Sequence, residues 1–217
     1  GNNRRLLTWN AGHCCSYALE NAVDDVGFFR TLVAALSDEF AIDEARIFAA
    51  GHSNGAMMSY RLGAELSDVF AGVGIVAGSI GGCPTPDCET VYIQPEPENP
   101  VAVIHIHGQE DTSVRYEGGV NSEDALSRRS DISVAESIAF WVAANQCETE
   151  PTVTRADDGM VITEAYTCPA TGTAVTLVTI VDGGHAWPGF NQQRPGGDAP
   201  SQHIDASAVI WAFFADL

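Results

Sequence analysis

Gly51-His52-Ser53-Asn54-Gly55 fits the spacing GxSxG, which sets a serine between two residues without side chains. A serine hydroxyl is a poor nucleophile until a base takes its proton, so chemistry at Ser53 needs an imidazole and a carboxylate elsewhere in the chain. Both occur later, acid before base. Asp111 follows the apolar run Val101 to Ile106, and His185 sits in the glycine-rich stretch Asp182-Gly183-Gly184-His185-Ala186-Trp187-Pro188-Gly189. Glycines let such a loop carry a ring back over a distant serine. The three residue types together would perform acyl transfer: Ser53 attacks a carbonyl, His185 accepts the proton, and Asp111 holds the imidazole in the required tautomer. Glu110 competes with Asp111 for the orienting role. The backbone N–H of Asn54, at the start of a helix, would steady the oxyanion formed on attack. Trp187, just past the base, is a candidate wall of the substrate pocket.

The remaining histidines carry weaker patterns. His105 and His107 alternate along an apolar run and are expected to face opposite sides of a sheet, which would keep them from sharing a metal; core or strand-end roles are expected instead. His52 flanks the nucleophile and is expected to pack beneath it. Acyl transfer of this kind calls for neither cofactor nor metal.

A GxSxG run has meaning only where a strand turns sharply into a helix. Arg46 to Ala50 reads as the strand, and Met58, Leu62 and Leu66 mark one face of the helix that follows. Upstream, Asn21 with Asp24 and Asp25 opens a helix over about residues 23 to 38, with Val23, Val26, Phe29, Val33, Leu36 and Phe40 at helical spacing. Gly72 to Ala77 and Val101 to Ile106 are continuous apolar runs, the pattern of parallel strands buried on both faces. A Gly/Pro/Cys-rich excursion over residues 78 to 100 separates them. A helix from Ile132 to Asn145 follows, then a hairpin of Thr152 to Arg155 and Val161 to Tyr166 turned at Asp157-Asp158-Gly159, then a strand from Ala174 to Val181. The last helix is expected to bury Ile204, Ala208, Trp211 and Phe214. This alternation predicts one α/β domain over residues 1–217, a mostly parallel sheet flanked by helices.

The chain holds 29 acidic residues against ten arginines and no lysine, a formal charge of −19. Such a surface repels phosphate backbones and anionic lipid, which argues against nucleic-acid or membrane partners. It suits a well-hydrated surface or, more sharply, life in salty water. No apolar run reaches the roughly 18 residues of a membrane span, and Gly1 to Arg5 lead into no hydrophobic core of a signal peptide. Six cysteines without paired CxxC spacing point to disulfides and to a secreted or extracytoplasmic protein. Cys83 and Cys88 bracket a short loop and are paired on that ground. Cys147 ends a helix and Cys168 a strand, and they form the second expected pair. Adjacent Cα atoms lie only ~3.8 Å apart, so Cys14 and Cys15 are read either as a strained vicinal bond or as two free thiols.

Five segments together, Thr8 to Cys15 (TWNAGHCC), Asn21 to Gly27 (NAVDDVG), Ala50 to Tyr60 (AGHSNGAMMSY), His107 to Gly119 (HGQEDTSVRYEGG) and Gly183 to Gly189 (GGHAWPG), resemble the secreted α/β-hydrolase esterases grouped with polyhydroxybutyrate depolymerases and feruloyl esterases. The resemblance implies a triad of Ser53, Asp111 and His185, an oxyanion N–H from Asn54, and no cofactor. It implies hydrolysis of short hydroxyacid polyesters such as polyhydroxybutyrate, or else of feruloyl, cinnamoyl or acetyl esters on plant polysaccharide. Family members carry earlier strands and a His-Gly loop that donates a second oxyanion N–H. Here the expectation is that this N-terminal part of the fold is missing, or that another segment or a second subunit completes the sheet, with Arg46 to Ala50 as its apolar edge. His107-Gly108 is not that loop, since it stands on a later strand. A peptidase of the prolyl-oligopeptidase type and a catalytically impaired binding domain are the rival readings.

Overall fold

The computed structural model describes residues 7–122, 128–191 and 197–217, so Gly1 to Arg5 lie outside the described residues. In chain order, α1 (Ser16–Glu20) and α2 (Asp25–Glu39) lead to β1 (Phe48–His52), α3 (Asn54–Glu65) and β2 (Gly72–Val76). The short strands β3 (Gly81–Cys83) and β4 (Tyr92–Ile93) come next, then β5 (Ala102–Gly108), β6 (Gly119–Val120), β7 (Ser130–Asp131) and α4 (Val134–Ala144). After these come β8 (Thr152–Arg155), β9 (Val161–Cys168), β10 (Thr173–Ile180) and α5 (Ala206–Ala215).

The main sheet has the order β1-β2-β5-β10-β9-β8. β1, β2, β5 and β10 run parallel, and β9 and β8 continue antiparallel as the expected hairpin. Gly159 supplies the positive φ of +72° that the turn between them uses. α3 and α4 cover one face of the sheet, where Tyr60, Val73, Ile75, Val103, Ile138, Trp141 and Leu177 pack together. α5 covers the other face over Val76, Ile104, Ile106, Val178 and Ile180. Continuous apolar runs in β2 and β5 thus have the cause assumed for them: both faces are buried. The layering is that of the α/β-hydrolase class.

Four features depart from the sequence reading. Residues 78 to 131 contain a second antiparallel sheet, β4-β3-β7-β6, whose strands of two or three residues are too short to show a period. β1 begins at Phe48 because Asp43 caps a 3-10 turn over Glu44–Arg46. α2 begins at Asp25, with the Asp24 carboxylate accepting the Gly27 N–H. In α5 the buried face is Ala206, Ile210 and Phe214, while Ala208 is exposed and Trp211 is 66 % exposed. A helix with apolar residues nearly all round leaves its inward face to packing.

The disulfides Cys83–Cys88 and Cys147–Cys168 form as expected, and Cys14 is joined to Cys15. Among the described residues β1 pairs only with β2, which makes it the sheet edge. α2 turns Val26, Phe29 and Val33 toward α3, yet Phe28, Leu32, Leu36 and Phe40 form a second, exposed stripe at a spacing of four residues. No helix among the described residues is long and apolar enough to cross a membrane.

Candidate active site

Ser53 occupies the turn between β1 and α3 at φ 56°, ψ −122°. This is a region that side-chain-bearing residues rarely adopt, and it lifts the hydroxyl clear of the sheet. The Ser53 N–H is tied to the carbonyl of Val76 at 3.0 Å, so β2 helps to hold the turn. The two motif glycines are not equivalent. A Cβ on Gly51 would run into the Gly55 backbone, whereas one on Gly55 would meet nothing within 4 Å. Asn54 opens α3, where helix geometry leaves its N–H without an intrahelical acceptor and aimed past Ser53. Its side chain is clamped: Oδ1 accepts the Trp9 N–H at 2.7 Å and Nδ2 donates to the Trp9 carbonyl at 3.0 Å. Cys14 Sγ lies 3.8 Å from the same Nδ2, so the Trp9 to Cys15 segment braces the start of the helix.

Acid and base arrive on two loops at the carboxyl ends of β5 and β10, neighbouring parallel strands. Gly108 and Gly183 let these loops touch, since a Cβ on Gly108 would fall on the Gly183 carbonyl. The contact is stitched by Gln109 N–H to Ile180 O and Glu110 N–H to Gly183 O, both 2.9 Å. Asp111 then closes its own turn, Oδ1 accepting the N–H groups of Ser113 and Val114 at 2.8 Å each. On the base loop, the His185 N–H donates to Asp198 Oδ2 at 2.5 Å. The Asp198 carboxylate also fills the space a side chain at Gly184 would need.

These supports bring together the three side chains picked from the sequence. His185 Nε2 is 2.9 Å from Ser53 Oγ, and His185 Nδ1 is 2.7 Å from Asp111 Oδ2. Asp111 is 4 % exposed, whereas its rival Glu110 faces solvent. Burial would raise the Asp111 carboxyl, but hydrogen bonds from His107 and His185, and the charge these rings can carry, outweigh it and hold the group well below the usual carboxylate range. Asp111 is therefore an anion beside the ring whose positive charge acyl transfer would create. The His52 ring packs against that of His185, centroids 4.8 Å apart.

Trp187 is partly buried against the α5 face of the core, and its Nε1 donates to Ser207 Oγ at 3.2 Å. It braces the base loop against α5. The expectation for His105 and His107 is overturned. Residues two apart on a strand point to the same face, and the two rings meet at 2.9 Å between His105 Nε2 and His107 Nδ1. The β5 odd-numbered positions face α3 and α4, the even ones α5. The strand period puts His105 and His107 on one face, whereas no local signal marks Asp198.

No family profile matches the chain. Among curated proteins it is similar to the putative esterase NocK of Nocardia uniformis subsp. tsuyamanensis, 34 % identical over 176 residues, which are 76 % of this chain and 49 % of that protein. It is also similar to feruloyl esterase B of Piromyces equi, 29 % identical over 185 residues, 82 % of this chain and 31 % of that protein. The chain thus spans half or less of the length of these curated relatives. Among solved structures, acetyl xylan esterase from Aspergillus awamori superposes with a TM-score of 0.48 at 13 % identity over 74 % of this chain and 61 % of that one, too slight a likeness to carry weight. The curated relatives bear out the resemblance to the esterase family that includes the feruloyl esterases.

Proposed function

We propose that this chain is a serine-dependent carboxylic ester hydrolase working through an acyl-enzyme. The observation that carries the reading is the unbroken line from Ser53 Oγ through His185 to Asp111, at 2.9 and 2.7 Å, on a turn that exposes the serine. Ser53 Oγ attacks the ester carbonyl as its proton passes to His185 Nε2, and the Asp111 carboxylate holds the Nδ1–H of the resulting imidazolium. The tetrahedral oxyanion is held by the Asn54 N–H. Collapse returns the Nε2 proton to the departing alcohol, leaving an ester on Ser53. Water, giving its proton to Nε2, repeats the attack, and the acid leaves as Ser53 recovers its hydrogen.

The feruloyl esterases among the curated relatives favour an aromatic hydroxycinnamoyl ester over a hydroxyacid polyester as substrate. Trp187, partly exposed beside the base, is the proposed wall for such an acyl group. Three disulfides support an extracytoplasmic location. A net charge of −19 supports a neutral small-molecule partner rather than nucleic acid. A fluorophosphonate probe should label Ser53 and fail to label Ser53→Ala, while a p-nitrophenyl ester should give a burst of nitrophenol equal to the enzyme present. Turnover of methyl ferulate above that of polyhydroxybutyrate film supports the aromatic reading, and the reverse order overturns it. Trp187→Ala should raise KM for methyl ferulate more than for p-nitrophenyl acetate.

A further inference from the structure

Three buried side chains outside the triad form a hydrogen-bonded line that ends at the Val114 carbonyl, beside Asp111. Tyr60 Oη lies 2.7 Å from His105 Nδ1, and His105 Nε2 lies 2.9 Å from His107 Nδ1. His107 Nε2 is 2.8 Å from the Val114 carbonyl oxygen and 3.4 Å from Asp111 Oδ2. None of the three side-chain-bearing residues is more than 1 % exposed.

With both rings uncharged, elimination fixes every proton in the line. A carbonyl and a carboxylate can only accept, so His107 Nε2 carries hydrogen. Its Nδ1 is then an acceptor, which makes His105 Nε2 a donor and His105 Nδ1 an acceptor in turn. Tyr60 must therefore donate. Burial pushes the Tyr60 hydroxyl well above its ordinary range, which keeps that proton on the oxygen. Burial holds His105 well below the imidazole range and so keeps it neutral.

The far end of the line grips the turn that carries the acid. Asp111 Oδ1 is held by the N–H groups of Ser113 and Val114, and His107 holds the Val114 carbonyl while approaching Oδ2, the oxygen that meets His185. The Tyr116 ring stands edge-on to His107 with centroids 5.8 Å apart and closes the remaining side. We propose that His107 is a positioning residue for the Asp111–His185 pair, and that Tyr60 and His105 act through it by reinforcing the tautomer with hydrogen on Nε2. The proposal rests on the ester-hydrolase reading of the same site. If the line merely satisfied buried polar groups, its loss would lower stability and leave the chemistry of folded enzyme unchanged.

The test is hydrolysis of p-nitrophenyl acetate by the whole chain, with phosphonate labelling of Ser53 alongside. His107→Leu should lower kcat by roughly 10- to 100-fold with KM within about threefold, because acid and base lose their alignment while binding does not. Its acid limb should move to higher pH, since an Asp111 relieved of one donor attracts the His185 proton more strongly. His107→Gln, whose amide nitrogen can donate from near the Nε2 position, should recover most of kcat, and Tyr60→Phe should fall between wild type and His107→Leu. An unchanged kcat and acid limb in folded His107→Leu, or a fall in His107→Gln as deep as in His107→Leu, overturns the proposal. Absence of both turnover and labelling in wild type would instead sink the ester-hydrolase reading. In that case, or if His107→Leu does not fold, nitrogen-15 NMR of the wild-type histidines decides: His105 and His107 should both be Nε2–H tautomers, and an Nδ1–H form of either overturns the relay.

Discussion

A methyl group on Gly51 would press into the Gly55 backbone, while one on Gly55 would enter open space. Gly51→Ala should therefore disturb the turn and abolish labelling of Ser53. Gly55→Ala should fold normally and gain up to about 1 kcal/mol from helix propensity; thermal unfolding of the pair checks both outcomes. Asp111 gives a prediction with a sign. Its carboxyl is held below the ordinary range, so the folded state gains stability above the unfolded carboxylate value and loses it as pH falls through the lowered one. Wild type should exceed Asp111→Asn in stability near pH 7, and denaturant titrations should show that margin shrinking once pH drops below about 4. A margin that does not change with pH would contradict this account.

At the level of elements, capping decides where helices begin. α4 opens on a reciprocal box in which the Ser133 hydroxyl accepts the Glu136 N–H at 3.2 Å and the Glu136 carboxylate accepts the Ser133 N–H at 3.2 Å. Ser133→Ala should lower stability by about 1 kcal/mol, or about 2 to 4 °C in Tm for a chain of this size, with activity retained. The same helix carries Trp141, wholly buried against Tyr60, so α4 supports the Tyr60–His105 end of the buried line. α5 illustrates the opposite case. Its N-terminus is set by the Asp205 side chain accepting from Ala208, but its inward face is chosen by contact with β2, β5 and β10.

On the scale of the whole molecule, the stripe of Phe28, Leu32, Leu36 and Phe40 and the edge position of β1 leave apolar or unpaired surface among the described residues. Light scattering should show self-association rising with concentration, and the double variant Phe28→Glu with Phe40→Glu should suppress it; a monomer at all concentrations would overturn this. Much of the architecture was legible beforehand. β2 and β5 stand out as unbroken apolar runs, the β8–β9 hairpin follows from Asp-Asp-Gly between alternating segments, and Ser53, Asp111 and His185 are marked by the loops that carry them. These are local signals, written in spacing and in residues that tolerate unusual backbone angles. The sequence by itself determined the strand-turn-helix at Ser53, the chain order of acid and base, and the pairing of Cys83 with Cys88 and Cys147 with Cys168. Only the tertiary structure decided that Asp111 rather than Glu110 meets the base, that Asp198 pins His185, and that Tyr60 reaches His105 from 45 residues away. The reason is physical: such contacts depend on how loops from separate strands fold onto one another, and no periodicity within a single segment encodes that.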